Sequence, residues 1–135
     1  AEDAALIAGA AGVSNTMMVV NAPSLFQQVI GRLQGVSVDI EIYRNRRDMF
    51  CDGLKKAGYE FDVPMGAFYL FPKSPLEDDV AFVRILKEHR ILAVPGTGFG
   101  GPGFFRLSYA VPEKTISDSL EGFQKAMDQA CNTSA

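Results

Sequence analysis

No stretch of this sequence is apolar for long enough to cross a bilayer. The longest candidate, at residues 17–20 with its neighbours, falls far short of the roughly 20 residues a membrane helix needs. No basic segment precedes an apolar run in the manner of a signal peptide, so the sequence points to a cytoplasmic protein without membrane contact. Cysteine is scarce. Cys51, within a helical pattern, and Cys131, in the tail, lack the Cys-x-x-Cys or Cys/His spacing of a metal site or redox motif. They read as reduced thiols, although one pair neither demands nor excludes a bridge, and no metal is expected. Net charge is small too, at −3. That gives no electrostatic reason to expect nucleic acid or an anionic membrane as partner, and leaves small molecules and other proteins. Internal repeats and low-complexity linkers are also missing.

What is present is ordinary for a packed globular protein: 47% hydrophobic and 21% charged residues over a length of 135. That length supports one core, hence one domain or a fragment. Residues 2–13 are Ala-rich and compatible with a helix, but Gly9 and Gly12 weaken it and no clean apolar stripe emerges. After a turn at Asn21-Ala22-Pro23, Ser24 and Gln27 form a capping-box pattern for a helix whose Phe26, Val29, Ile30 and Leu33 share a face, ended by Gly35. A long helix is expected over residues 36–57, acidic early at Asp39 and Glu41, basic late at Lys55 and Lys56, and stopped by Gly58. Its stripe runs Val36, Ile40, Tyr43, Phe50, Leu54 and Ala57. Arg47 interrupts the stripe, with its stem packed and its guanidinium reaching out, or else paired with a carboxylate.

Three strands are expected, at residues 66–71, 91–94 and 104–109, with a helix capped by Asp78 or Asp79 between the first two. A last helix carries Ile116, Leu120, Phe123, Met127 and Ala130 and ends before a polar tail at residue 132. This order predicts an α/β (α+β) fold in which a small, mostly antiparallel three-stranded sheet is covered by helices.

The chemistry concentrates between residues 64 and 110. Arg106 stands on the third strand among Phe104, Phe105, Leu107 and Tyr109, directly after a glycine-rich turn. A guanidinium amid aromatics is costly unless an anion meets it, and its planar fork suits a carboxylate. The local pattern leaves two alternatives open: Arg106 on the solvent face of an edge strand, or paired internally with an acid such as Glu113. The run Gly96-Thr97-Gly98-Phe99-Gly100-Gly101-Pro102-Gly103 lacks the terminal Lys-Ser or Lys-Thr of a phosphate loop and precedes a strand, so it reads as a mobile turn. His89, at a helix end without an evident partner, reads as structural.

Several motifs fall in register: Tyr43 with Arg46-Arg47-Asp48; Pro64-Met65-Gly66-Ala67-Phe68-Tyr69-Leu70-Phe71-Pro72; Val94-Pro95-Gly96 with Phe99-Gly100; and Phe105-Arg106-Leu107-Ser108-Tyr109-Ala110. In order and spacing this succession, over roughly residues 21–127, resembles the C-terminal part of class I aminotransferases, whose fold is that of aspartate aminotransferase. The resemblance implies that Arg106 binds the α-carboxylate of an amino acid substrate. It also implies that the strand at 66–70 lies near the substrate and moves with domain closure, making Gly66, Phe68 and Tyr69 a possible cleft wall. The implied reaction transfers an amino group from an amino acid to a 2-oxo acid with pyridoxal phosphate as cofactor.

Two departures qualify this. The family holds pyridoxal phosphate as a Schiff base on a lysine in a Ser-x-x-Lys stretch and sets an aspartate, commonly in Asp-x-x-Tyr, against the pyridinium nitrogen. Neither pattern occurs here. The resemblance therefore implies a chain that begins downstream of the cofactor lysine. Residues 1–35 would be the tail of the large cofactor-binding domain, residues 36–135 the small domain, and the helix at 36–57 the interdomain helix. No cofactor is expected on this chain alone, which should be inactive without the large domain of the same enzyme, and a homodimer is expected. A non-catalytic binding or oligomerisation module, and a lyase or synthase of the same fold, are the other readings. In the carboxylate reading, Arg106 should lie at a concave surface beside the glycine-rich turn, free of any intramolecular acid.

Overall fold

The computed structural model describes residues 2–16 and 22–133. The apolar stretch at 17–20, the Asn21 end of the expected turn and the last two residues of the tail lie outside them. The chain divides into two compact units, Ala1–Val38 and Asp39–Ala135.

The first unit contains α1 (Glu2–Thr16) and α2 (Ser24–Arg32). The apolar residues of α1 gather on no single face, as its Ala- and Gly-rich sequence suggests. The capping box expected at Ser24 does not form. Pro23 takes the N-cap position, Ser24 lies inside the helix, and Gln27 donates through Nε2 to the carbonyl of Ala22 at 2.6 Å instead. Phe26, Val29, Ile30 and Leu33 are all exposed.

The second unit carries the core. Its first helix, α3 (Ile40–Lys56), begins later than the sequence pattern suggests. Asp39 is the N-cap and its carboxylate accepts from the amide of Glu41 at 3.0 Å, which leaves Val36 and Ser37 ahead of the helix. The C-terminal end closes as a Schellman turn: Tyr59 N donates to Leu54 O and Gly58 N to Lys55 O, with Gly58 at φ +88°. The next helix, α4 (Asp79–Glu88), is capped by Asp78, whose Oδ1 accepts from Val80 N and Ala81 N. It ends in the same turn, with Arg90 rather than glycine in the left-handed region at φ +63°. The last helix, α5 (Glu113–Thr133), runs through the expected start of the polar tail.

The sheet is smaller than the apolar runs suggest. It consists of β1 (Tyr69–Leu70), β2 (Val94–Pro95) and β3 (Phe105–Ser108), all antiparallel in the order β1-β3-β2. The expected strand at 66–71 is broken because Ala67 turns to φ +63°. Residues 91–93 leave the end of α4 without pairing, since β3 meets β2 only at Val94 and Pro95. Helices α3, α4 and α5 pack on one face of this sheet, where Leu54, Leu70, Phe82, Phe105, Ile116 and Phe123 are buried. Tyr59 sits among the rings of Phe82, Phe105 and Phe123 and donates its hydroxyl to Phe123 O at 3.0 Å. Gly53 marks the closest approach of α3 to α5, because a Cβ there would fall 2.3 Å from Leu120 Cδ2. Both cysteines are free thiols, Cys51 buried and Cys131 exposed.

Among the described residues no helix is long and apolar enough to cross a membrane, and no group of three His, Cys, Asp or Glu side chains could hold a metal ion.

Candidate functional site

Because β3 alternates, Phe105 and Leu107 enter the core and Arg106 projects from the opposite face, half-buried. β3 is the central strand, with Val94 opposite Arg106 on one side. On the other side Tyr69 pairs with Ser108, two residues along from Arg106 on the same face, close enough for a long side chain to reach it diagonally. The guanidinium carbon lies 4.5 Å from the ring centre of Tyr69 and 4.0 Å from that of Phe99. Each aromatic face attracts the cation by about 0.5–1 kcal/mol where water has access. Among the described residues no aspartate or glutamate forms an ion pair with Arg106, Glu113 included. The arginine thus lies beside the glycine-rich turn without an acid. Its surroundings are open rather than deeply concave, with Tyr69 46% and Phe99 51% exposed.

Tyr69 is set in place by the turn before it. The Tyr109 hydroxyl donates to Ala67 O at 2.5 Å and approaches Gly66 O at 3.4 Å, while Tyr109 N donates to Phe68 O at 3.0 Å. Burial pushes the Tyr109 phenol above its ordinary pKa, so it remains a donor. Of the three residues expected to wall a cleft, Tyr69 touches Arg106. Gly66 is engaged through its carbonyl, and Phe68 packs on Tyr43 of α3 at 5.1 Å between ring centres. Arg47 completes this edge: its guanidinium pairs with Asp48 at 2.8 Å and donates to Pro64 O at 3.2 Å. Of the two readings the sequence leaves for Arg47, pairing with a carboxylate is the one found, because Asp48 is its immediate neighbour.

Phe99 comes from the glycine-rich segment, which forms a 3-10 turn at Gly96–Phe99 followed by Gly100 at φ +74°. Gly96 N donates to Phe104 O at 2.8 Å and Gly101 N to Gly96 O at 3.0 Å. A Cβ on Gly96 would fall 2.2 Å from Gly101 O, so only glycine fits. The turn is tied down further by Asp79, a residue that sequence reasoning treated only as a possible helix cap. Asp79 is buried at 3% exposure. Its Oδ2 accepts from Thr97 N at 2.8 Å, and its Oδ1 accepts from the Thr97 hydroxyl at 2.7 Å and more weakly from Gly103 N at 3.5 Å. The Thr97 hydroxyl and amide hold the Asp79 carboxyl below the usual carboxylate range. Adjacent acids at a helix start, where one cap suffices, are the sequence signal that could have separated its role from that of Asp78.

His89 is the C-cap of α4, and its Nε2 lies 2.9 Å from Gln129 Oε1, which agrees with a structural role. A separate cleft of about 320 Å³ lies on the core side of β3 against α5, lined by Phe50, Leu107, Ile116 and Phe123 among others.

A sequence profile of the family described as aminotransferase class I and II matches residues 3–123. The chain belongs to the class I and II aminotransferases. Aspartate/prephenate aminotransferase from Thermus thermophilus is 40% identical over 92 residues, covering 67% of this chain and 24% of the relative. Among solved structures, an aminotransferase from Eubacterium rectale matches with a TM-score of 0.85 at 39% identity, over 94% of this chain and 32% of that one. Thermus thermophilus aspartate aminotransferase with maleate matches with a TM-score of 0.62 at 38% identity, over 64% of this chain and 23% of that one. The chain thus spans about a quarter of the length of the curated relatives it matches.

The aminotransferase family implies pyridoxal phosphate in the full-length enzyme. The residues of this chain do not fit the lysine-bound group. All six lysines are exposed, and Lys73, Lys114 and Lys125 are paired with Glu60, Asp118 and Glu121. Among the described residues no lysine amine is enclosed.

Proposed function

We propose that this chain supplies the substrate-carboxylate site of a pyridoxal-phosphate-dependent aminotransferase, with Arg106 anchoring the α-carboxylate of an amino acid or 2-oxo acid. The observation that carries the reading is the state of Arg106. Its guanidinium rests on the rings of Tyr69 and Phe99, and no acid among the described residues pairs with it. A planar fork seated against two aromatic rings and paired with no acid can grip a planar anion by two parallel charge-assisted hydrogen bonds. The similar aspartate aminotransferase from Thermus thermophilus was solved with maleate, a dicarboxylate, which agrees with a carboxylate as ligand. An aminotransferase is favoured over a lyase or synthase of the same fold because the relatives named above are aminotransferases.

In this reading residues 1–35 form the tail of the large domain, residues 36–135 form the small domain, and α3 is the interdomain helix. The large domain contributes the cofactor and its lysine, and this chain contributes orientation of the substrate. The chain alone is inactive and binds no cofactor. The enzyme is a cytoplasmic homodimer.

The test is Arg106→Lys in the complete enzyme. Lysine keeps the charge but cannot make the paired bonds, and one charge-assisted hydrogen bond corresponds to about 10- to 100-fold in kcat/KM. The cofactor's absorbance and the fold should be unchanged. Near-normal turnover in this variant would sink the proposal.

A further inference from the structure

Arg106 owes its orientation to two rings, and the two are held by different means. Tyr69 is on a strand paired with β3, so the sheet itself fixes it. Phe99 is the last residue of a four-residue turn that has no strand partner of its own and is half-exposed. Something else must keep its ring 4.0 Å from the guanidinium carbon.

We propose that Asp79 is the positioning residue for this site: its carboxylate clamps the turn through Thr97 and so holds Phe99 against the face of Arg106. Thr97 lies two residues before Phe99 and gives Asp79 both its amide and its hydroxyl, at 2.8 and 2.7 Å. The longer contact from Gly103 N, at 3.5 Å, joins the far end of the glycine-rich segment to the same carboxylate. Asp79 therefore gathers both ends of the 97–103 loop onto the N-terminal turn of α4, where a negative charge is favoured by the helix dipole.

The three donors demand a carboxylate. In asparagine one of the two oxygens becomes an NH2 group. Placed at Oδ2, it would face the amide N–H of Thr97. Placed at Oδ1, it would face the N–H of Gly103. Either way two donors confront each other, and the clamp loses a point of attachment. The Thr97 hydroxyl can be removed almost isosterically as valine, or kept as serine.

This inference rests on the reading of Arg106 as the carboxylate anchor for its bearing on catalysis, whereas the clamp itself is measurable without it. The experiment uses this chain, labelled with 15N and 13C, and follows the Nε–H and Cδ protons of Arg106 by NMR. It compares the wild type with Asp79→Asn, Thr97→Val, Thr97→Ser, Phe99→Leu and the Thr97→Val/Phe99→Leu pair. Protons over ring faces resonate upfield. The expected result is that Asp79→Asn and Thr97→Val move Arg106 downfield, toward its position in Phe99→Leu, while the core resonances of Phe105 and Leu107 stay in place. Thr97→Ser should restore the wild-type position. In the double variant, Thr97→Val should add nothing to Phe99→Leu, because the two act through one contact.

Each variant is then titrated with maleate. Losing one aromatic face from the guanidinium should weaken binding roughly two- to fivefold. Unmoved Arg106 resonances in folded Thr97→Val and Asp79→Asn would overturn the clamp. If Asp79→Asn fails to fold, the contrast between Thr97→Val and Thr97→Ser decides. Failure of the anchor reading has a different signature: maleate would leave Arg106 undisturbed in the wild type, or would bind Arg106→Lys equally well, whatever the clamp variants show.

Discussion

Replacing Ala67 by glycine should stabilise the second unit, although glycine substitution usually does the opposite. Ala67 stands at φ +63° in the turn that precedes β1. An L-residue in that region costs about 1–2 kcal/mol, and glycine removes this cost at the expense of about 0.5–1 kcal/mol of extra chain entropy in the unfolded state. The net expectation is a gain of roughly 0.5–1 kcal/mol. The turn is held in that strained form by the Tyr109 hydroxyl on Ala67 O at 2.5 Å. Tyr109→Phe should therefore cost about 1 kcal/mol, the ordinary net value of such a bond, since the carbonyls of an exposed turn regain water. All four tyrosines of the chain lie in the second unit, so urea unfolding followed by near-UV circular dichroism reads that unit directly. The midpoint should rise for Ala67→Gly and fall for Tyr109→Phe, with unchanged slope. With glycine at 67, the cost of Tyr109→Phe should shrink, because the hydroxyl no longer has strain to hold. A fall in midpoint for Ala67→Gly comparable to that of glycine in a mid-helix position would refute the reasoning.

Mixed with pyridoxal phosphate, the chain should show no stoichiometric absorbance band from a single lysine; a band abolished by changing one lysine would mean that the cofactor site had been misplaced. The exposed face of α2 at Phe26, Val29 and Ile30 should drive self-association of the isolated chain, measured by light scattering and reduced by Ile30→Asp. A monomer at high concentration would count against it. Burial pushes the Tyr59 phenol well above its ordinary value of 10.0, so the folded state keeps the proton after the unfolded chain has lost it. The stability this provides is complete below about pH 10 and is lost as pH rises above it. Alkaline destabilisation should thus be shallower in Tyr59→Phe, and an identical pH profile would contradict the assignment.

The helices α3 and α5 were legible in the sequence because burial and period coincide there. Phe50 and Leu54 on α3, Ala57 at its C-cap, and Ile116, Phe123 and Ala130 on α5 fall inside the predicted stripes and are buried. Boundaries were less legible where two signals competed for one end. The helix expected from Val36 begins only at Ile40, because Asp39 takes the N-cap of α3. Ser24 with Gln27 has the spacing of a capping box, yet Pro23, with no N–H and a fixed φ, occupies the position the serine would need. The strands were overdrawn because an apolar run signals burial rather than pairing. Nothing in the sequence around Tyr59 announces that three rings from α4, β3 and α5 close around it.

Arg106 shows how a local argument can select a residue for incomplete reasons. The sequence places it among Phe104, Phe105, Leu107 and Tyr109, which suggests a charge submerged in aromatics. Phe105 and Leu107 on the strand and Tyr109 just after it are buried in the core, Phe104 stacks on Phe71, and Arg106 projects from the opposite face to Phe105 and Leu107. The rings that touch it, Tyr69 and Phe99, are 37 and 7 residues distant in the chain and arrive by strand pairing and by the clamped turn. Partial exposure lowers the cost of leaving the guanidinium without an acid, because water still reaches it. The site is therefore neither a buried charge awaiting rescue nor an ordinary solvated one. Its guanidinium carbon sits against two rings, and among the described residues no acid forms an ion pair with it. Lysine could satisfy the charge and could approach one ring, but it has no plane for either ring to hold, which is why the geometry favours arginine here.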